Sequence, residues 1–137
     1  MAGASSGVAV ADDCVSIFLD LKKKRKYRYL IYKIDGEKQV VLEHTGAPDA
    51  PYAEFVSHLP EEDCRYGIYD HDYTDSEGCQ KSKIVFFAWS PDVAKVKLKM
   101  IYAASKDAFR KELEGIHFEI QATDASEVDI SAIQEKC

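Results

Sequence analysis

The sequence predicts a single domain of the α/β (α+β) class, one mixed β-sheet covered by helices on both faces. Three observations predict it. The chain has 137 residues, the size of one hydrophobic core and too short for two. Aromatic and branched strand-like runs alternate in groups with helical periods, in the order α, ββ, short α, ββ, α, β, α, without internal repeats. Hydrophobic residues make up 46% and aromatic residues 11%, so a packed interior needs no metal or disulfide staple.

Residues 1–10 are small and uncharged and are expected to form a flexible arm ahead of a domain spanning 11–137. From about 11 to 25, Cys14, Val15, Phe18 and Leu21 recur at helical spacing. Asp12 and Asp13 open that helix and Lys22, Lys23 and Lys24 close it, as the helix dipole favours. Tyr27 to Ile34 is apolar on both alternating sets and reads as an interior strand. Asp35-Gly36 then turns the chain, and Gln39 to His44 returns as the second strand of a hairpin. Gly46 and Pro48 open a loop, and Pro51 to Leu59 predicts a short helix closed by Pro60. Arg65 to Tyr73 and Lys83 to Trp89 are two further strands joined through the turn Asp75-Ser76-Glu77-Gly78. Ser90-Pro91-Asp92 supplies a cap, a first-turn proline and an acid for a long helix that Glu114-Gly115 ends. His117 to Ala122 alternates as a strand. Asp124 with Glu127 resembles a capping box for a last helix through Ile133.

Several function classes fall away on composition and motif. No apolar run reaches the roughly 18 to 20 residues that span a bilayer, and the start MAGASSGVAVADD lacks the basic and apolar regions of a signal peptide. A soluble intracellular protein is expected. Cys14, Cys64, Cys79 and Cys137 are too widely spaced for a zinc site and read as reduced thiols. No nucleophile elbow, phosphate-binding loop, dinucleotide fingerprint or HExxH motif occurs, so no enzyme, cofactor or metal is expected. Asp70-His71-Asp72 with Asp75 suggests a calcium loop, but position six is Asp75 and position twelve is Lys81, where Gly and Glu are required.

Charge is more informative. Eighteen basic against 24 acidic residues give −6, which argues against nucleic acid as a partner. Residues 22–33 carry seven basic residues and no acid, whereas 60–79 carry seven acids and one Arg, so a polarised molecule is expected. The run Lys22, Lys23, Lys24, Arg25, Lys26, Arg28 fits a nuclear-import or anionic-lipid patch, or simply a helix end neutralising its dipole. Tyr27, Tyr29 and Tyr32 interleave with it, but a strand buries at least one alternating set. On the long helix, Val96, Met100, Ala104 and Ala108 each fall within about 60° of Val93 and predict the core face. Lys95, Lys99, Lys106 and Arg110 fall opposite as a cationic ridge, with like charges at i,i+4 that suggest an acidic partner.

The residues from Cys79 through Lys81, Lys83 and Trp89, continuing from Ser90-Pro91-Asp92 to Ser105-Lys106-Asp107, resemble the actin-depolymerizing factor/cofilin family, particularly its plant branch. The Ser6-Gly7 arm, Tyr32-Lys33-Ile34, Cys64-Arg65-Tyr66 and Gln121-Ala122-Thr123-Asp124 extend the resemblance over nearly the whole chain. It implies one ADF-homology domain with a five- or six-stranded mixed sheet between helices. It also implies a monomeric actin binder that prefers ADP-loaded subunits, severs filaments and promotes depolymerisation, in cytoplasm and cytoskeleton with the nucleus as a second location. Carried over by motif position, Ser6, Gly7, Lys97, Lys99 and Met100 contact monomer and filament, while Lys81, Lys83, Glu135 and Lys136 contact filaments only. The resemblance further implies inhibition by phosphoinositides. A kinase acting on Ser6, with Ser5 the alternative acceptor, would place negative charge at an acidic partner's surface. Lys97 stands where many relatives carry Arg, and Leu98 where a small polar residue is common, which leaves filament stabilisation or bundling as one alternative activity; a nuclear or phosphoinositide-binding protein that uses the basic run 22–28 is the other. Lys97 and Lys99 lie roughly 200° apart on an ideal helix, so periodicity alone selects Lys95 with Lys99 and passes over Lys97.

Overall fold

The computed structural model describes residues 8–137. The expectations for Ser5, Ser6 and Gly7 lie outside them. The elements are β1 (Ala9–Val10), α1 (Asp12–Lys24), β2 (Tyr29–Asp35), β3 (Gln39–Gly46), α2 (Tyr52–Ser57), β4 (Arg65–Thr74), β5 (Gln80–Trp89), α3 (Val96–Glu112), β6 (Phe118–Ala122), a 3-10 turn (Ala125–Val128) and α4 (Ile130–Gln134). They form a six-stranded mixed sheet in the order β1-β3-β2-β4-β5-β6. The β1/β3 and β5/β6 pairs are parallel and the rest antiparallel.

Strand alternation divides the core into two layers. Leu30, Tyr32, Tyr66, Ile68 and Phe86 face Phe18 and Leu21 of α1 and Phe109 of α3. Tyr29, Ile31, Tyr69, Val85 and Phe87 face the opposite way, under Phe55 of α2 and Ile133 of α4. This is why β2 reads as apolar on both faces: residues 29–32 are all buried. Its start at Tyr29 is two residues later than expected. The predicted hairpin turns hold, with Gly36 and Glu37 at φ of 57° and 60° and Gly78 at 81°. Gly46 is needed for close approach: a Cβ there would lie 2.1 Å from the Tyr29 ring.

Four expectations require correction. The arm does not extend to residue 10, because Ala9 and Val10 pair with Gln39 and Val40 while Val8 and Val10 are buried. The long helix does not begin at Ser90. The Ser90 amide donates to the Ala122 carbonyl, and the Pro91 carbonyl closes a turn with the Ala94 amide. That backbone is already committed to the sheet and the turn, so α3 starts at Val96 with Lys95 as a cap that makes no side-chain bond. The last helix is two pieces: Asp124 accepts from the Ser126 and Glu127 amides ahead of the 3-10 turn, and Asp129 accepts from Ser131 ahead of α4. Glu127 reaches back to the Thr123 amide, one residue before a true capping box.

The fourth correction concerns the face of α3. Its core stripe is Tyr102, Ser105 and Phe109, flanked by Leu98 and Leu113, whereas Val96 and Met100 are exposed. Tyr102 lies about 200° round the helix from Met100. Burial follows the aromatic rings: Phe109 stacks near Tyr32 and Tyr66 with centroids at 4.9 and 5.3 Å, and Tyr102 contacts Tyr66 at 5.1 Å. Ser105 enters the core because its hydroxyl donates to the Ile101 carbonyl.

Candidate functional site

The exposed large hydrophobic side chains among the described residues are Val93 (73%), Val96 (67%) and Met100 (66%). They fall together because the 90–95 segment turns straight into α3. The Lys99 ammonium donates to the Asp92 carbonyl at 3.1 Å and ties the turn to the helix. A groove of about 450 Å³ adjoins the patch, lined by Val56, Leu59, Trp89, Pro91, Val93 and Val128. Trp89 is fixed there by its indole N–H, which donates to the Pro60 carbonyl at 2.7 Å. Lys95 and Lys97 are exposed beside this apolar patch. An apolar centre with a charged rim is the composition of a protein-docking surface.

The β2–β3 turn connects this surface to the start of the described chain. Glu37 pairs with Lys97 at 3.1 Å, and the neighbouring Lys38 carbonyl accepts from the Ala9 amide at 2.8 Å. The N-terminal segment therefore enters the fold beside the first turn of α3.

The expected ridge divides. Lys95 and Lys99 lie at the patch, but Lys106 and Arg110 both meet Glu119 of β6, at 2.7 and 3.3 Å. Burial pushes the Glu119 carboxyl up, yet the Lys106 hydrogen bond and both cations hold it below the usual range. Helical periodicity saw no acid because the acid comes from another element.

Of the residues expected to form the second contact, Lys83 and Lys136 meet on the other layer. The Lys83 ammonium donates to the Lys136 carbonyl at 3.2 Å and lies 5.9 Å from the Tyr73 ring. Lys136 sits 5.8 Å from the Phe118 ring, and Glu135 follows α4 as an exposed residue. Lys81, at the end of the β4–β5 hairpin, pairs with Asp75 at 3.0 Å.

The basic and acidic stretches do not polarise the molecule, because they meet. Arg25 pairs with Asp72 and Asp70 at 2.5 and 3.1 Å, and Arg28 with Asp72 at 2.9 Å. Lys22 donates to the Glu114 carbonyl, Lys24 pairs with Asp20, and Lys26 lies over Tyr27. Lys23 and Lys26 remain exposed. The calcium-like run also disperses: Asp70 and Asp72 face the arginines, His71 packs between Tyr69 and Tyr73, and Asp75 accepts from the Glu77 and Cys79 amides. The ligand atoms of Asp75, Glu77 and Cys79 lie within 4.8 Å of one another at this exposed turn. Cys14 and Cys64 are buried and Cys79 and Cys137 exposed, all four free. Burial pushes the Cys14 thiol up to about 11, so it is not a nucleophile at neutral pH.

Sequence reasoning missed the exposure of Val93 and Val96 and the Glu37 and Glu119 partners. Aromatic size was the available signal: Tyr102 and Phe109 compete for the core better than a row of alanines.

The profile of the family described as Cofilin/tropomyosin-type actin-binding protein matches residues 7–137. Actin-depolymerizing factor 1 of Arabidopsis thaliana is 54% identical over 137 residues, covering 99% of both chains. An actin-depolymerizing factor of Vitis vinifera is 54% identical over 134 residues, covering 97% of this chain and 94% of its own. Among solved structures, Streptomyces griseoflavus cofilin aligns with a TM-score of 0.86 at 38% identity, covering 95% of this chain and 98% of that one. Plasmodium berghei actin depolymerization factor 2 aligns with a TM-score of 0.86 at 31% identity over 96% and 99% of the two chains.

Proposed function

The chain belongs to the cofilin and actin-depolymerizing factor family, and on that premise we propose that it binds actin monomers and filaments and promotes filament disassembly. The observation that carries this reading is the solvent-exposed patch Val93, Val96 and Met100 with Lys95 and Lys97 at its rim. A folded domain leaves such a patch uncovered where a partner covers it. Lys99 lies on this surface, which engages both actin forms, and Ser6 and Gly7 are assigned to the same contact by family resemblance. Lys81, Lys83, Glu135 and Lys136 form the filament-only contact, supported by the Lys83–Lys136 juxtaposition.

Activity by binding needs no catalytic group. A ligand that fits one filament twist better than another shifts the population toward that twist. Boundaries between decorated and bare stretches then become weak points, and severing follows without bond chemistry. ADP-loaded subunits are the preferred partner, and the protein acts as a monomer in the cytoplasm and cytoskeleton, with entry to the nucleus. Phosphoinositides compete for the basic surface, where Lys23 and Lys26 are exposed and where Arg25 and Arg28 are already held by carboxylates. A protein kinase acting on Ser6, or Ser5, adds about −1.5 to −2 charges and weakens the approach to actin.

Sedimentation with ADP-actin tests the reading. Disassembly leaves more actin in the supernatant, absence of co-sedimentation and of monomer binding refutes it, and low-speed pelleting of bundles would establish the stabilising alternative. Paired Lys97→Ala and Lys99→Ala substitutions abolish the supernatant increase, and a Ser6→Asp variant binds monomer more weakly than wild type. Normal disassembly by the double variant would refute the site assignment.

A further inference from the structure

Strands β4 and β5 run past the rest of the sheet. Pairing of β2 with β4 ends at Tyr29–Tyr69, and pairing of β6 with β5 begins at Phe118–Val85. The Asp70 amide donates to the Arg28 carbonyl on one side, and on the other the His117 amide donates to the Ile84 carbonyl while the Ile84 amide donates to His117 Nδ1, which closes the edges. From His71–Lys83 to Thr74–Gln80 the two strands pair, among the described residues, only with each other. An isolated two-stranded ribbon is marginal in water, so side-chain contacts must set its direction.

On one face those contacts come from the end of α1; on the other, Lys83 donates to the Lys136 carbonyl. Arg25 occupies the left-handed position after the helix, φ 53°, which glycine usually fills. Its guanidinium pairs with Asp72 Oδ1 at 2.5 Å and Asp70 Oδ2 at 3.1 Å and reaches Ser82 Oγ at 3.4 Å. Arg28 donates to Asp72 Oδ2 and the Asp70 carbonyl, both at 2.9 Å, and to the Pro48 carbonyl at 2.8 Å. One carboxylate, Asp72, is thus shared by two guanidinium groups, while Asp70 is 4% exposed and its Oδ1 has no hydrogen-bond partner among the described residues. Burial pushes the Asp70 carboxyl up against the pull of Arg25, so this ion pair is held at some cost in desolvation. Asp70, Asp72 and Ser82 lie on the ribbon's α1 face. Lys81 and Lys83, at alternate positions, lie on the other.

We propose that Arg25 and Arg28, through Asp70 and Asp72, are positioning residues for the filament contact: a charged strut that aims the 71–83 ribbon so that Lys81 and Lys83 meet the polymer. The proposal rests on the reading that Lys81 and Lys83 touch filaments. It gives the two arginines of the basic run a structural partner within the chain, in place of a membrane or import receptor.

Two measurements on the full chain test it, using Asp72→Asn, Arg25→Ala and the charge-retaining Asp72→Glu. Asp72 and Arg25 are both exposed, so the variants keep the core intact. Amide hydrogen exchange in 71–83 accelerates about tenfold in the first two variants, while exchange in 66–69 is unchanged. Filament affinity falls about three- to tenfold, with monomer affinity within about twofold of wild type, and Asp72→Glu recovers most of the loss. Unchanged ribbon exchange would overturn the strut. Faster exchange with unaltered filament affinity, or equal losses for monomer and filament, would overturn the positioning role. Wild type that fails to bind filaments would overturn the function reading and the positioning role with it, and exchange would still decide the strut.

Discussion

Replacing Met100 by Ala separates binding from folding. Its side chain is 66% exposed, so about a third of its surface is already covered and two-thirds is free for a partner to cover. Complete burial of a methionine side chain contributes roughly 1.5–3 kcal/mol. The uncovered share corresponds to about 1–2 kcal/mol of binding, or a roughly five- to thirtyfold rise in Kd. Folding loses little, within about 0.5 kcal/mol, because removing exposed atoms leaves no cavity. Fluorescence titration of labelled ADP-actin monomer gives the first quantity and thermal unfolding the second. Met100→Leu, which keeps the apolar volume, binds close to wild type. A Met100→Ala variant with unaltered affinity would show that α3 docks by another face, and one with a lowered melting temperature and normal affinity would show that Met100 serves the core.

Other substitutions address the remaining forces. Lys97→Ala removes an exposed rim charge, so stopped-flow association with actin slows about three- to tenfold at low salt and its salt dependence flattens, with dissociation little changed. Phe109→Ala, which empties a site enclosed by Tyr32, Tyr66 and Phe86, lowers unfolding free energy in urea by about 3–5 kcal/mol. Glu119→Gln costs about 1–2 kcal/mol at pH 7 by leaving Lys106 without its charge partner. Because the folded carboxyl titrates below its usual range, that contribution is full above the unfolded value and the gap between wild type and variant closes as pH falls through the folded value. His58 lies 4.0 Å from the His44 ring, and burial together with His44 lowers its pKa against the pull of Glu54 and Glu43. Its share of stability is full above about pH 6.5 and is lost as pH falls through the lower folded value. NMR titration of His58 gives a midpoint that rises in His44→Ala.

Apart from β1, element order and the two-layer sheet were legible because β2, β4 and β5 carry runs that are apolar on both faces, and Asp35-Gly36 and Asp75 to Gly78 leave the turns little choice. The start of α3 was not legible. Ser90-Pro91-Asp92 carries every local mark of a helix beginning, but the Ser90 amide is drawn to the Ala122 carbonyl, a contact 32 positions away that no local signal encodes. The rotation of α3 was missed for a related reason. A moment computed from hydrophobicity alone weighs Val96, Met100, Ala104 and Ala108 as a stripe, whereas packing weighs volume, and Tyr102 and Phe109 fill the space over Tyr32, Tyr66 and Phe86 that alanines would leave empty. Charge was misread whenever its partner was remote: Glu37 for Lys97, Glu119 for Lys106 and Arg110, Asp72 for Arg25 and Arg28.

These partners explain why so few cations serve the docking surface. A one-signed helix face repels itself, and Glu119 relieves that repulsion at Lys106 and Arg110, where α3 crosses β6. Among the described residues Lys95 forms no salt bridge, although Glu61, Glu62 and Asp63 line the same groove, and the Lys97–Glu37 pair lies at an exposed turn, where water and salt weaken it. Lys95 and Lys97 therefore keep more of their charge than Lys106 and Arg110, and they lie beside Val93, Val96 and Met100. Apolar area gives a complex its lifetime, and unneutralised charge at the rim gives it orientation and rate while discouraging two copies of the same patch from meeting. Rotation of α3 toward its aromatic core accounts for both properties, since the same turn that takes Tyr102 inward carries Met100 out.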